Sequence, residues 1–385
     1  MKLSMGINYS GGFKEAVDRV VELEKVGLDQ VWIAEAYSYD AISQVGYLAA
    51  KTNRVEIGTG IVNVYSRTAA LMAMTAAGCD YVSDGRFILG LGASGPQVIE
   101  GFHGVPYEKP MQRIKEYIDV CRKTWAREEA LSYDGKTVQI PLPAGQGTGL
   151  GKALKLINHP VRKDIPIWWA SLKDKSVEAT AEIADGWLPI MFYPERYHNV
   201  WGDQLKAGLA KRDKSRPRLE ISAGGMLAID ESLTGEAQTK ILDFARPNMA
   251  LYVGGMGARG KNFYNDICRD YGFEKEAVEI QDLYLEGKKD EAASKLPGEW
   301  IMNANLVGTP GFIKERVAAF KEAGVTVVTD CQLTAAEMSK AKISVLRTSQ
   351  GAFAAKTFVD GTYEGDLMAA AGVSWVIGRE SQAEQ

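Results

Sequence analysis

The chain is poor in the residues that mark most special chemistries. Its four cysteines, Cys79, Cys121, Cys268 and Cys331, stand far apart and form no Cys-x-x-Cys pair. Structural disulfides and a thiolate zinc site are therefore not expected, and the reducing cytoplasm is the natural compartment. Only three histidines occur, His103, His159 and His198, none with a carboxylate at ligand spacing, so no metal centre is expected. No apolar run reaches the roughly 20 residues of a membrane span. The start, Met1-Lys2-Leu3-Ser4-Met5-Gly6, lacks the apolar core and small-residue cleavage site of a signal peptide. There is no strong charge of either sign: the net charge of −4 argues against a nucleic-acid or membrane-surface binder, so an anionic ligand must be held by local donors. No Gly-x-Ser-x-Gly elbow supports a serine hydrolase, and no short repeat supports a solenoid.

What the chain does have is apolar residue, 46% of 385, enough for a large core in one barrel or two ordinary domains. Strands and helices alternate at short intervals. Strands are expected at Leu3–Asn8, Gln30–Ala34, Val55–Ile61, Phe87–Gly92, Ile165–Ala170, Gly186–Ile190, Leu219–Ile229 and Val325–Thr329. Between them, periodic spacing predicts helices over Phe13–Lys25, Ala41–Lys51, Ala69–Val82, Pro110–Trp125, Lys175–Ala184 and Pro310–Ala323, with a closing helix over Ala335–Leu346. Eight strands of this kind imply an α/β fold, a (β/α)8 TIM barrel with insertions after strands 4 and 7, at about 101–160 and 231–302. The barrel is expected over 1–347, with a Gly/Ala-rich C-terminal extension over 348–385. The stretch 133–160 reads as an excursion over the barrel mouth, and the second insertion as helical and polar.

Two glycine motifs need placing. Gly90-Leu91-Gly92-Ala93-Ser94-Gly95 matches the dinucleotide fingerprint after a strand, but no helix is expected to open at Gly95 and the later acid is missing. A barrel loop, whose backbone N–H groups approach a ligand beside the Ser94 hydroxyl, fits better. Gly145 to Lys152 imitates a phosphate loop, yet Ala153 stands where a magnesium-binding hydroxyl is needed. A surface loop that covers a ligand remains open. Asn63 and Tyr65 put polar groups at the end of the third strand, where a capping role is the plainer reading. Glu35, at the end of the second strand, is the leading ionisable candidate.

The segments Ile57–Thr68 and Ser83–Gln97, then Ile165–Leu172, Ala184–Trp187, Val307–Pro310 and Gly324-Val325, resemble the bacterial-luciferase-like superfamily. The resemblance is to its coenzyme F420-dependent branch, which includes methylenetetrahydromethanopterin reductase, and it covers most of residues 1–345. It implies a hydride transfer between a deazaflavin and a small organic substrate. It also implies a bulge, often with a non-prolyl cis peptide, around Gly60-Ile61 that props the ring from behind. On the same ground, Gly60, Ile61 and Val62 back the ring, and Ser94, Gly95, Ser171 and Leu172 take the hydroxylated chain and phosphate. Asn63, Gly92 and Ala170 are further cofactor-binding residues, and Lys173 and Lys175 meet the acidic oligoglutamate tail. Tyr37, Tyr65 and Trp187 shape a substrate pocket. Related enzymes often carry Asp-His or Glu-His at the second strand's end; here Glu35 is followed by Ala36, which leaves the proton to Glu35, Tyr37, Tyr65 or water. His103 is near enough to the fourth strand to reach the mouth. The alternatives are an FMN-dependent monooxygenase using O2 and a non-catalytic F420-binding protein. A homodimer or higher homo-oligomer is expected from the resemblance alone.

Overall fold

Eight short apolar segments pair side by side, each parallel to the next, and the last returns to the first. They are β1 (Lys2–Ile7), β2 (Gln30–Ile33), β3 (Glu56–Thr59), β4 (Phe87–Gly92), β5 (Ile167–Trp169), β6 (Gly186–Trp187), β7 (Glu220–Ala223) and β8 (Val327–Thr329). Pairing runs in chain order, and β8 pairs with β1 through Lys2↔Val327 and Leu3↔Val328, so the sheet is a closed (β/α)8 barrel. This computed structural model describes residues 1–7 and 12–329, together with the backbone of Leu333–Ser339, Lys342–Thr348 and Gly351–Ala354. Cys331 and the end of the first expected strand, Asn8, lie outside the described residues, as does most of the expected C-terminal extension. Among the described residues no helix is long and apolar enough to cross a membrane.

Seven helices up to the seventh strand follow from local signals: α1 (Phe13–Val26), α2 (Ala41–Lys51), α3 (Ala69–Val82), α4 (Pro96–Gly101), α5 (Pro110–Ala126), α6 (Asp174–Ile183) and α7 (Asp203–Lys211). Asp40 caps α2 by accepting from the Ser43 N–H at 2.9 Å, and Thr68 caps α3 from Leu71 at 3.2 Å. Proline opens both α4 and α5, where its missing N–H costs nothing.

The interior of the barrel explains its glycines. Side chains alternate along a strand, and the middle layer is filled by the indoles of Trp32 and Trp168, with ring centroids 5.0 Å apart, packed with Ile88 and Val327. A Cβ at Gly58 would lie 2.2 Å from the Trp32 ring, and one at Gly186 2.0 Å from the Trp168 ring. Below them, Lys2 Nζ donates to Glu56 at 3.0 Å and to Glu220 at 3.3 Å, and Gln30 Nε2 donates to Glu56 at 2.9 Å. Burial pulls the Lys2 ammonium down, but the Glu56 and Glu220 carboxylates outweigh it and hold it above its ordinary value. The base is thus closed by a charged plug.

Several expectations need correction. The segment Leu219–Ile229 is two strands: β7 stays in the barrel, while Leu227–Ile229 leaves it to pair with Leu306–Gly308. Met226 N–H donates to Asn305 Oδ1 at 2.7 Å, and a Cβ at Gly225 would meet that amide at 2.3 Å, so the chain turns away there. The closing helix over Ala335–Leu346 is absent; Leu333–Ser339 and Lys342–Thr348 form an antiparallel pair extended by Gly351–Ala354. A helix does open at Gly95, whose carbonyl accepts from Ile99 at 3.0 Å, so barrel closure, not a missing helix, excludes the dinucleotide fold. The second insertion is helical but not polar inside: Ile267, Tyr271, Ile280 and Trp300 are buried in one cluster with Trp187 and Trp201.

The stretch after α5 does not cross the mouth. A hairpin, Tyr133–Asp134 with Gln139–Ile140, is held by Glu116, which accepts from Gln112 Nε2, the Thr137 hydroxyl and the N–H groups of Lys136, Thr137 and Val138. Residues 150–161 then run down the outside of α3 and α5, tied by Leu131 N–H to Leu154 O at 2.9 Å and Arg127 Nε to Leu156 O at 2.9 Å. The glycine-rich loop cannot cover a ligand at the mouth from there.

Gly186→Ala should cost about 1–3 kcal/mol through overpacking against Trp168, whereas Gly46→Ala, with no atom within 4 Å of the added methyl, should not lower stability. Urea midpoints of the two variants check this; equal midpoints would mean the indole layer yields.

Candidate active site

At the carboxyl end of the barrel the inward layer is mostly of small residues: Gly6, Ala34, Gly60, Gly90, Gly92 and Ala170 follow the indole layer, while Leu188 packs on it with its Cδ1 3.5 Å from the Cβ position of Gly90. A Cβ at Gly60 would lie 3.4 Å from Trp32 Cβ, so this floor rests on the indoles. At Gly90 the backbone itself fills the space: a Cβ would sit 1.7 Å from Thr59 O, while the Thr59 hydroxyl donates to Gly90 O and accepts from Gly90 N–H, both at 2.9 Å. The result is a flat shelf.

One edge of the shelf is a bulge. Gly58 pairs with Ile88 but Val62 pairs with Leu91, so the third strand carries one more residue than its partner. The extra length holds the cis peptide Gly60-Ile61. Gly60 N–H donates to Ile33 O at 2.7 Å and Glu35 N–H to Ile61 O at 3.3 Å, which joins the bulge to the end of β2. A Cβ at Gly92 would meet Ile61 Cδ1 at 2.8 Å, so the isoleucine side chain lies across that glycine.

The opposite edge offers donors. Ser94 has a left-handed φ of 58°, a conformation uncommon for a residue with a side chain. Its carbonyl accepts from the Tyr107 hydroxyl at 3.1 Å. Among the described residues no hydrogen bond uses the N–H groups of Ser94 and Gly95, or those of Ser171 and Leu172 ahead of α6. Backbone donors without partners at a helix start favour an anion. The Ser171 hydroxyl is not among them: Thr180 Oγ1 donates to Ser176 O, so Ser171 Oγ gives its proton to Thr180 at 2.7 Å.

Two ion pairs stand at the rim. Glu35 accepts from Arg67 through both oxygens, at 2.7 and 2.8 Å, and from the Ala41 N–H at 3.0 Å. Hydrogen bonding to Glu35 is the main reason that the Arg67 guanidinium is held above its ordinary value. Lys173 donates to Asp266 at 3.0 Å and lies 4.3 Å from the Phe263 ring centre, so the helix Phe263–Asp270 of the second insertion stands beside the end of β5. That helix brings Tyr264 close to Tyr107: burial first, then the neighbouring Tyr252 and Tyr107 phenols, push its hydroxyl up to about 12. Tyr107 stacks on Tyr65 at 5.3 Å, and Arg113 lies 4.8 Å from the Tyr65 ring. Tyr107 of the first insertion and Tyr264 of the second, edge-on to Tyr252 at 4.7 Å, thus stand on the donor side of the shelf.

Comparison with known proteins agrees with this geometry. The family described as luciferase-like monooxygenase matches residues 1–327. The chain belongs to that family. Among its relatives is a Mycobacterium tuberculosis protein named "putative coenzyme F420-dependent oxidoreductase", 39% identical over 333 residues, 85% of this chain and 94% of the relative. The 5,10-methylenetetrahydromethanopterin reductase of Archaeoglobus fulgidus is 27% identical over 79% of this chain and 85% of its own. In fold, the chain superposes on the coenzyme F420-dependent tetrahydromethanopterin reductase of Methanopyrus kandleri with a TM-score of 0.66 at 20% identity, over 85% of this chain and 92% of that one.

Within this luciferase-like barrel, the residues expected from sequence sort into three groups. Gly60, Ile61, Val62, Asn63 and Gly92 lie together at the bulge, and Ser94, Gly95, Ala170, Ser171 and Leu172 at the donor edge. Asn63 spends its side-chain oxygen on the N–H groups of Tyr65 and Ser66, at 2.9 and 2.8 Å, so its capping role is real. Tyr37 is 68% exposed on the rim, its ring 6.3 Å from Phe102. His103 stacks edge-on against Phe102, with a buried Nε2 that has no partner.

Three assignments change. Glu35 is a counter-ion with both oxygens engaged, which does not suit a group that must deliver a proton. Tyr65 is buried under Tyr107 and donates to Glu108 O at 2.9 Å, so it supports Tyr107 instead of lining a pocket. Trp187 is fully buried between Phe192 and Trp201, with Nε1 donating to Ser171 O at 3.0 Å; it holds the donor loop from below. Sequence reasoning missed Arg67, Tyr107 and Tyr264. Arg67 sits in the same motif as Asn63, and a lone arginine among apolar residues opposite Glu35 was the available signal; the tyrosines lie in insertions and gave none.

Breaking the Glu35–Arg67 pair leaves a charge without its partner, so Glu35→Gln and Arg67→Ala should each cost about 3 kcal/mol. In a double-mutant cycle the two should couple by at least about 1 kcal/mol, and purely additive losses would contradict the pairing. Tyr65 predicts an alkaline limb. Burial pushes its phenol up to about 12 from 10.0, so the fold favours the neutral form. That contribution is complete below pH 10 and is lost as pH rises towards 12. Tyr65→Phe should flatten the fall in unfolding free energy over that window.

Proposed function

We propose that the chain is a coenzyme F420-dependent oxidoreductase that exchanges a hydride with a small, neutral organic substrate. The observation that carries this reading is the 39% identical relative, whose printed name gives that cofactor and which matches over 94% of its length. The residues of the mouth fit such a group. A flat ring needs a shelf of small residues, and Gly60, Gly90 and Ala170 provide one between the bulge, where Ile61 lies across Gly92, and the donor edge. An anionic chain needs donors, and the unpartnered N–H groups of Ser94, Gly95, Ser171 and Leu172 supply them. Bound there, a deazaflavin supplies two-electron hydride chemistry, which the protein only orients.

The chain's own part is to hold the bulge rigid through the Glu35–Arg67 pair, to wall the donor side with Tyr107 and Tyr264, and to deliver a proton. With Glu35 and Tyr65 committed elsewhere, Tyr37 is the proton carrier of the rim: among the described residues it makes no hydrogen bond, and it faces solvent. At the rim Glu35 and Arg67, and Lys173 and Asp266, neutralise one another, which favours a neutral aldehyde, ketone, alcohol or activated alkene.

Fluorescence titration of the purified protein with oxidised F420 and with FMN tests the cofactor. Tight F420 binding with weak FMN binding is expected; the reverse preference would move the protein to oxygen-dependent flavin chemistry, and binding of neither would end the proposal. Ser94→Asp should weaken F420 binding about tenfold or more by placing a carboxylate at the donor edge. Tyr37→Phe should lower kcat while leaving F420 affinity unchanged.

A further inference from the structure

Among the described residues five that are not glycine stand in the left-handed region: Asp84, Ser94, Lys109, Arg127 and Met191. Lys109 and Arg127 begin and end α5, Asp84 follows the end of α3, and Ser94 belongs to the donor edge. Met191, at φ 57°, has no such place. It ends the run Leu188-Pro189-Ile190-Met191 that continues β6 into the mouth. That conformation is unfavourable for a residue with a side chain, so the surroundings must hold it.

What holds it is one phenol from the second insertion. Tyr271, which follows the helix Phe263–Asp270, donates its hydroxyl proton to Met191 O at 3.1 Å and accepts from Tyr193 N–H at 3.1 Å. Its ring is fully buried, edge-on to Tyr193, Trp201 and Trp300 with centroids 5.6, 6.2 and 5.4 Å away. Arg196 Nη1 donates to Tyr271 O at 2.6 Å and fixes the backbone as well. Burial pushes the phenol above its ordinary value, so the proton stays on the hydroxyl.

The clamp acts on apolar residues. Leu188 packs on the indole layer with its Cδ1 3.5 Å from the Cβ position of Gly90, and its N–H donates to Trp169 O at 3.1 Å. Leu188, Pro189, Ile190 and Met191 are each only half-buried, and no side chain among them can donate a hydrogen bond. The bulge takes the end of β3 and the donors take the ends of β4 and β5. The next strand end along the mouth is β6, and what it presents is apolar.

We propose that Tyr271 is a positioning residue for the substrate: by holding Met191 left-handed it keeps Leu188 on the shelf, as the apolar contact for the group next to the reacting carbon. The proposal rests on the reading above that the shelf takes the F420 ring, since only then does Leu188 stand beside the reaction. A contact fixed in advance costs no ordering when the substrate arrives. The substrate is then apolar at that group, and its grip depends on a hydroxyl that it never touches.

The probe is cyclohexanone, a neutral apolar ketone, added to the cofactor-free full chain with isotope-labelled leucine methyl groups; Leu188→Met identifies the Leu188 signals. Cyclohexanone should shift them. Tyr271→Phe, which keeps the ring and its packing, should raise the dissociation constant about fivefold or more as Met191 leaves the left-handed region. Adding Met191→Gly to that variant should restore binding to within about threefold of wild type, because glycine takes this conformation unaided. A phenol that merely stabilised the fold would not be rescued in this way, so failure of the rescue overturns the proposal. A Leu188 signal that cyclohexanone leaves unmoved overturns it too, as does Tyr271→Phe binding as tightly as wild type. No cofactor enters the titration, so a failure of F420 binding and a failure of the positioning are separate results.

Discussion

Two indoles in the middle of the barrel set the terms for everything above and below them. Trp32 and Trp168 dominate a layer that they share with Ile88 and Val327, and they can do so because Gly58 and Gly186 face them. Close packing then dictates the neighbours. Beneath, the lumen is wide enough for a polar plug of Lys2, Gln30, Glu56 and Glu220. Above, the indole faces give a level support on which small residues make a shelf. The site is flat because the layer under it is aromatic and full.

Electrostatics at the rim follow a different logic from electrostatics at a catalytic centre. Glu35 and Arg67 satisfy one another so completely that neither is left to act on a ligand, and the pair's effect is mechanical: it joins the end of β2 to the start of α3 across the bulge. Net charge of the chain is small, and the donors left over are backbone N–H groups, whose partial charges are fixed in direction by the strand ends that carry them. A site of this kind selects by shape and by the position of an anion.

Local signals carried the barrel a long way. The helices Ala41–Lys51 and Ala69–Val82 begin and end where Asp40, Thr68 and the apolar spacing place them, and the bulge at Gly60-Ile61 follows from the resemblance on the surrounding motif. Where pairing partners are distant in sequence, local reading failed. The Ala- and Lys-containing stretch from Ala335 has helix-forming residues but pairs with Lys342–Thr348 and onward as a sheet, so pairing overrode propensity. Leu227–Ile229 left the barrel because its partner strand, Leu306–Gly308, lies after the second insertion. Within the site, residue type gave Glu35, Tyr37 and Tyr65 equal standing, and only their hydrogen-bond partners separate the engaged Glu35 and Tyr65 from Tyr37. The placing of Tyr107 and Tyr264 depends on two separate insertions, which no spacing along the chain expresses.

The indole pair also has an optical consequence. Trp32 and Trp168 lie directly under the shelf, while Trp125, Trp201 and Trp300 sit in clusters outside the barrel strands. Any chromophore resting on Gly60 would come within contact range of Trp32, so it would quench the emission of that residue. The protein thus contains its own reporter of whether the shelf is occupied, built from the same rings that make the shelf flat.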